Sequence, residues 1–117
     1  AGKDTTVVQP DLCVICDESK IDKRGCNGAP DLVVEILSPG NSRHEMDTKF
    51  QLYQDAGVKE YWIIYPSERT VMIYVLQHGQ FIGLRPFADD MTVQSSLFPA
   101  LNITVEDVFY NLPKEKL

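Results

Sequence analysis

Apolar residues recur along this chain with two different periods, and the switches between them divide the sequence into elements. From Thr5 to Asp17 the spacing is extended: Leu12, Val14 and Cys16 fall on one parity, with Asp11, Cys13 and Ile15 on the other. Pro10 cannot donate a ladder hydrogen bond, so it marks a strand start or an edge. Residues 18–29 are polar and contain glycine, which predicts a connecting loop. The β-branched run 30–37 carries apolar residues on both parities and stops at Ser38-Pro39-Gly40, as a central strand buried on two faces would. From Ser42 to Ala56 the period becomes helical. Met46, Phe50 and Tyr53 form the apolar line, Ser42 with Glu45 is a capping-box pair, and Gly57 is placed to end the helix in the left-handed conformation. Glu60–Tyr65 is a second buried strand, stopped by Pro66. After a turn at 67–70, Val71–Leu76 returns antiparallel to it, and a further turn at 77–80 leads into Phe81–Arg85. The tail offers Val93, Leu97 and Leu101, then a short helix that Thr104 and Asp107 cap.

This order predicts an α/β (α+β) fold: a mixed central β-sheet with one long helix packed on it. A length of 117 residues fits a single domain over 1–117. The chain starts at Ala1 as though entering a structure already under way, which points to a fragment of a longer protein. Apolar runs are too short for a spanning helix or a signal peptide, so no membrane association is expected. A net charge of −6 excludes binding to nucleic acid by bulk charge and leaves a localised site open. Three cysteines, an odd number, favour a reducing cytoplasm. Cys13 and Cys16 spell CxxC, but a β-strand sends them to opposite faces, so buried core thiols are expected rather than a zinc site.

Chemistry is suggested by charges in unusual company. Glu35 stands alone in Val-Val-Glu-Ile-Leu, where an ionised carboxylate must be neutral, paired or bound to a metal. Asp31, Glu35 and Leu37 share a face, although Asp31 lies about 13 Å away along the strand. If the two amino-terminal strands pair as a hairpin, Asp11 converges on Glu35, and a hard cation such as Mg²⁺ relieves the repulsion between two carboxylates. The competing structural reading makes the Asp a turn cap and the Glu half of an ion pair. On the helix, Glu45, Lys49 and Tyr53 fall on one stripe at intervals of four. The ammonium of Lys49 could steady a water nucleophile or a phosphate charge, against a plain Glu45–Lys49 surface pair. Arg43 is a further candidate for phosphate contact, and Lys20, Lys23 and Arg24 form a small basic cluster. Trp62, Tyr61 and Tyr65 suit the core better than a base-stacking platform. His44 and His78 are isolated, and residues 25–28 lack the lysine and helix of a phosphate loop.

Four segments together carry a resemblance. They are Gln9-Pro10-Asp11, Ala-Pro-Asp-Leu-Val-Val-Glu-Ile-Leu-Ser-Pro at 29–39, Asp-Thr-Lys-Phe-Gln-Leu-Tyr at 47–53, and Gly-Val-Lys-Glu-Tyr-Trp-Ile-Ile at 57–64. The set resembles the Uma-type restriction endonuclease family, within the PD-(D/E)XK nuclease superfamily, over about Val7 to Tyr74. The resemblance implies a restriction-endonuclease-like core missing its N-terminal helix. It implies that Asp11 and Glu35 are the acidic metal ligands and that Lys49 is the catalytic lysine, moved to the helix because Leu37 occupies the superfamily's usual lysine position. Asp31, also in a Pro-Asp pair, is the alternative ligand, and motif order favours Asp11.

The expectation is therefore a Mg²⁺- or Mn²⁺-dependent endonuclease that hydrolyses DNA phosphodiester bonds through Asp11, Glu35 and Lys49, working as a cytoplasmic homodimer. The alternative is a nuclease-fold module that no longer cuts and serves binding or assembly. A third reading is a structural protein with an internal ion pair.

Overall fold

A computed structural model describes residues 10–22, 25–26 and 28–110. The strands are β1 (Leu12–Val14), β2 (Ile21–Asp22), β3 (Gly25–Cys26), β4 (Leu32–Ile36), β5 (Glu60–Tyr65), β6 (Thr70–Gln77), β7 (Gln80–Gly83), β8 (Thr92–Val93) and β9 (Ile103–Thr104). Helix α1 spans Arg43–Ala56 and α2 spans Val105–Val108. The main sheet has five strands in the order β1-β4-β5-β6-β7. β1 runs antiparallel to β4, β4 runs parallel to β5 with α1 as the crossover, and β6 and β7 continue antiparallel. It is the mixed α+β arrangement the periodicities predict.

Local chemistry explains the helix. Ser42 Oγ accepts from the Glu45 N–H at 3.0 Å while Glu45 Oε1 accepts from the Ser42 N–H at 3.2 Å. That reciprocal cap satisfies two orphan donors and is worth about 1 kcal/mol. Gly57 closes the helix at φ +89°, a left-handed conformation that a side chain would strain. Glu45 therefore serves the cap, and the partner of Lys49 is Glu35.

Alternation sorts the sheet into two cores. On the helix side, Val33, Tyr61, Ile63 and Phe81 pack with Tyr53, Phe50 and Met46 of α1. Phe50 meets the rings of Tyr74 at 5.0 Å and Phe81 at 5.2 Å edge-on, and Tyr53 meets Tyr61 at 5.1 Å, so ring geometry fixes α1 over β5, β6 and β7. The opposite face buries Leu32, Val34, Trp62, Val71 and Ile73 under Phe87, Val93, Val105 and Phe109. The carboxyl-terminal segment thus supplies the second cover that makes β4 buried on both sides.

Glu60 anchors that cover. It is 1% exposed, and its Oε2 accepts from Trp62 Nε1 and Ser95 Oγ, both at 2.7 Å, while Oε1 accepts from the Leu97 N–H at 2.9 Å. Three donors compensate the buried acid and tie residues 95–97 to the sheet.

Four expectations change. Cys13 and Cys16 are exposed: Cys13 lies on β1, the sheet's edge strand, and Cys16 follows it in the chain. Among the described residues of 18–29, a 3₁₀ turn at Glu18–Lys20, capped by Asp17, is followed by the paired strands β2 and β3. Phe81–Arg85 shortens to Gln80–Gly83, and β8 pairs with β9 where no strand is legible in the sequence. Within the extended segment 5–17, the ladder covers Leu12–Val14, and residues 5–9 lie outside the described part.

Truncating the anchor tests this packing. Glu60→Ala is expected to lower unfolding free energy by about 2–4 kcal/mol, because it strands buried donors and opens a cavity. Urea denaturation followed by the fluorescence of Trp62 reads it directly.

Candidate functional site

The antiparallel register places Asp11 one step beyond the Leu12–Val34 pair, opposite Glu35. Where a main-chain ladder bond would come next, Asp11 supplies its side chain: Oδ2 accepts from the Ile36 N–H at 2.7 Å. This bond ties the Asp11 carboxylate to the main chain one residue past Glu35. Asp11 itself is exposed, so the site opens to solvent at this edge.

Glu35 is 3% exposed and points to the helix side of β4, sharing parity with Val33 and Leu37 of the helix-side core. Tyr53 donates its hydroxyl proton to Glu35 Oε2 at 2.6 Å, and Lys49 Nζ lies 3.4 Å from Oε1. Both donors come from one face of α1, four residues apart, as the helical pitch requires. The two contacts differ. The phenol bond is short and charge-assisted. At 3.4 Å the ammonium contact is loose, and the Lys49 side chain keeps 22% of its surface in solvent.

The tyrosines stay protonated. Burial pushes the Tyr53 phenol far above its ordinary value, and the negative charges of Glu35 and Asp11 push it further. Burial does the same for Tyr61, assisted by Glu35. Tyr53 is therefore a fixed hydrogen-bond donor to Glu35 at any neutral pH.

Asp31 belongs to a different place. It is 6% exposed at the other end of β4, where Oδ2 accepts from the Cys16 N–H at 2.7 Å and Oδ1 lies 3.4 Å from Lys59 Nζ. The Cys16 hydrogen bond, followed by the Lys59 side chain, holds its pKa below the usual carboxylate range against the opposing effect of burial. These contacts fix the loop that follows β1 and do not reach Glu35.

Among the other candidates, Arg43 is exposed at the first turn of α1, and His44 and His78 are exposed and apart. Lys23 and Arg24, with the side chain of Lys20, lie outside the described residues. Trp62 and Tyr61 are core residues, as expected. Tyr53 is the residue at the candidate site whose contact with Glu35 the sequence pattern understates. Its interval of four from Lys49 was the available signal, masked because the same residue also continues the apolar line.

Comparison with known proteins now bears on this geometry. The family model Uma2, described as putative restriction endonuclease, matches residues 3–106. The chain belongs to the Uma2 family. A crystal structure of a putative nuclease of DUF820 from Anabaena variabilis ATCC 29413 is similar to this Uma2 chain, with a TM-score of 0.68 and 29% identity. The match covers 87% of this chain and 59% of that one, so the chain spans about three-fifths of the length of its structural relative. No functionally curated protein matches. Among the described residues no helix is long and apolar enough to cross a membrane.

Two substitutions separate the acids. Tyr53→Phe leaves one buried oxygen of Glu35 without its donor and is expected to cost about 1–3 kcal/mol in urea denaturation. For Asp31 the folded pKa is the lower one, so its stabilisation is complete above the unfolded-state value and is lost as pH falls through the folded one. Asp31→Asn is therefore expected to lose stability at neutral pH and to flatten the stability profile below about pH 4, measured by urea midpoints across pH.

Proposed function

We propose that this Uma2 chain is a divalent-metal-dependent endonuclease that hydrolyses phosphodiester bonds in DNA. The observation that carries the reading is the buried Glu35 carboxylate, held by Tyr53 and Lys49 and flanked by an Asp11 carboxylate tied to the next backbone N–H. Family membership and the likeness to a nuclease-fold structure support it.

The donor set fits Mg²⁺ or Mn²⁺. Asp11 and Glu35 offer hard oxygens from neighbouring strands, and among the described residues no group of three or more His, Cys, Asp or Glu could hold an ion. Two carboxylates suit an ion that takes its remaining ligands from water and substrate phosphate, as Mg²⁺ does in such sites. When bound, the ion would polarise the phosphoryl group and acidify a water molecule.

The chain's own residues supply the rest. Tyr53 immobilises Glu35 Oε2, Oε1 has only the loose contact with Lys49, and Asp11, exposed at the sheet edge, is held through Oδ2 by the Ile36 N–H. Lys49, loosely held and partly in solvent, donates protons to a non-bridging phosphate oxygen or orients the attacking water. Water oxygen bonds to phosphorus, an ester P–O bond breaks, and the departing oxygen takes up a proton. The helix-borne Lys49 fills the role that Leu37, an apolar residue of the helix-side core, cannot.

Plasmid cleavage with Mg²⁺ or Mn²⁺ tests the reading. Glu35→Ala and Lys49→Met are each expected to reduce the rate by about 10²-fold or more, with folding verified by circular dichroism. Undiminished cleavage by folded Glu35→Ala would remove Glu35 from the mechanism. No cleavage by wild type with either ion would favour a binding module on a nuclease fold.

A further inference from the structure

The carboxyl ends of the parallel strands β4 and β5 open onto a cleft of about 480 Å³. Its size lies in the range of small-ligand sites, and in open α/β sheets ligands settle outside the carboxyl ends of parallel strands. Leu37 forms one wall. It shares the helix-side face with Glu35 and lies two residues further along, about 7 Å at the rise of a strand. The cleft therefore begins within one nucleotide's reach of the carboxylate pair.

Its chemistry excludes a phosphate pocket. The lining contains neither Lys nor Arg, and its one charged member is the acidic Glu68. Tyr65 with the rings of Pro39 and Pro66 gives flat apolar surface, while Ser67 and Glu68 stand exposed at the rim. Burial raises the Tyr65 pKa, so its phenol stays neutral. A planar, uncharged ligand with hydrogen-bond donors on its edge matches this combination. An amino-bearing nucleobase is such a ligand, since a carboxylate accepts from exocyclic amino groups and aromatic walls stack on base faces.

We infer that this cleft receives one unpaired nucleobase next to the scissile phosphate, so that the site prefers single-stranded or locally opened DNA to intact duplex. The inference rests on the nuclease reading and adds to it a base-binding subsite. A paired base must leave its stack to enter, whereas a single strand offers it freely.

Fluorescence anisotropy in EDTA, with a labelled mixed-sequence single strand and a hairpin duplex as probes, separates the possibilities. Wild type is expected to bind the single strand about tenfold more tightly than the duplex. Ser67→Trp, at an exposed turn position where folding is not at risk, fills the cleft and is expected to abolish that preference. Asn102→Trp, exposed on the carboxyl-terminal segment, is expected to retain it. Equal affinity for the two probes, no binding to either, or a Ser67→Trp variant that binds like wild type would overturn the inference. Mn²⁺-dependent cleavage measured in parallel keeps the two claims apart. Cleavage with Ser67→Trp binding unchanged rejects the cleft and leaves the hydrolase. Ser67-sensitive binding without any cleavage rejects the hydrolase and leaves the cleft.

Discussion

A carboxylate that is 3% exposed inside a Val- and Ile-rich strand has to be compensated, and the structure around Glu35 is organised by that requirement. Hydrocarbon on both sides of β4 would expel the charge. The helix returns two donors to it, one from Tyr53 and one from Lys49, and the neighbouring strand brings a second carboxylate to the same end of the sheet. Replacing this arrangement with apolar residues would stabilise a plain structural protein equally well or better. A second anion beside the first works against stability, and the proposed divalent ion would reconcile the two.

The remainder of the fold holds these groups in place. Rings from α1 wedge against β5, β6 and β7, which sets the rotation of the helix and with it the direction of Lys49 and Tyr53. Burial of the opposite face depends on the carboxyl-terminal segment, fastened through Glu60 to Ser95 and Leu97. The two buried glutamates divide the labour. Glu60 has a main-chain N–H and two side-chain donors, none of them cationic, and closes a core. Glu35 has a loosely held cation, an open edge and a nearby carboxylate, which are the properties of a reactive site.

Much of this was legible in the letters because period and punctuation are local. The Ser42–Glu45 cap, the Gly57 stop, the two-sided run 30–37 (observed as Leu32–Ile36) and the Thr104–Asp107 cap each reside within a few residues, and each is found within the stretch the pattern marks. The stripe through Lys49 and Tyr53 likewise follows from helical pitch. What failed was whatever depends on distant partners. Glu60 reads as an ordinary strand-end acid until Ser95 and Leu97 arrive from 35 and 37 residues away. The β8–β9 ladder joins two-residue segments with no period of their own. Cys13 and Cys16 resemble core thiols by type, but exposure is decided by β1 being an edge strand, a property of topology. Asp31 and Asp11 both sit in Pro-Asp pairs, and only the antiparallel register distinguishes the loop anchor from the neighbour of Glu35.

The central claim is that Asp11 and Glu35 share one divalent ion at the open edge of the sheet. Anomalous diffraction from crystals soaked in Mn²⁺ tests it most directly. The account predicts a single strong manganese peak within about 2.0–2.3 Å of a carboxylate oxygen from each residue, with Lys49 Nζ displaced from Glu35 Oε1. Ordered Asp11 and Glu35 side chains with no manganese between them, or a peak held instead by Asp31, would contradict it.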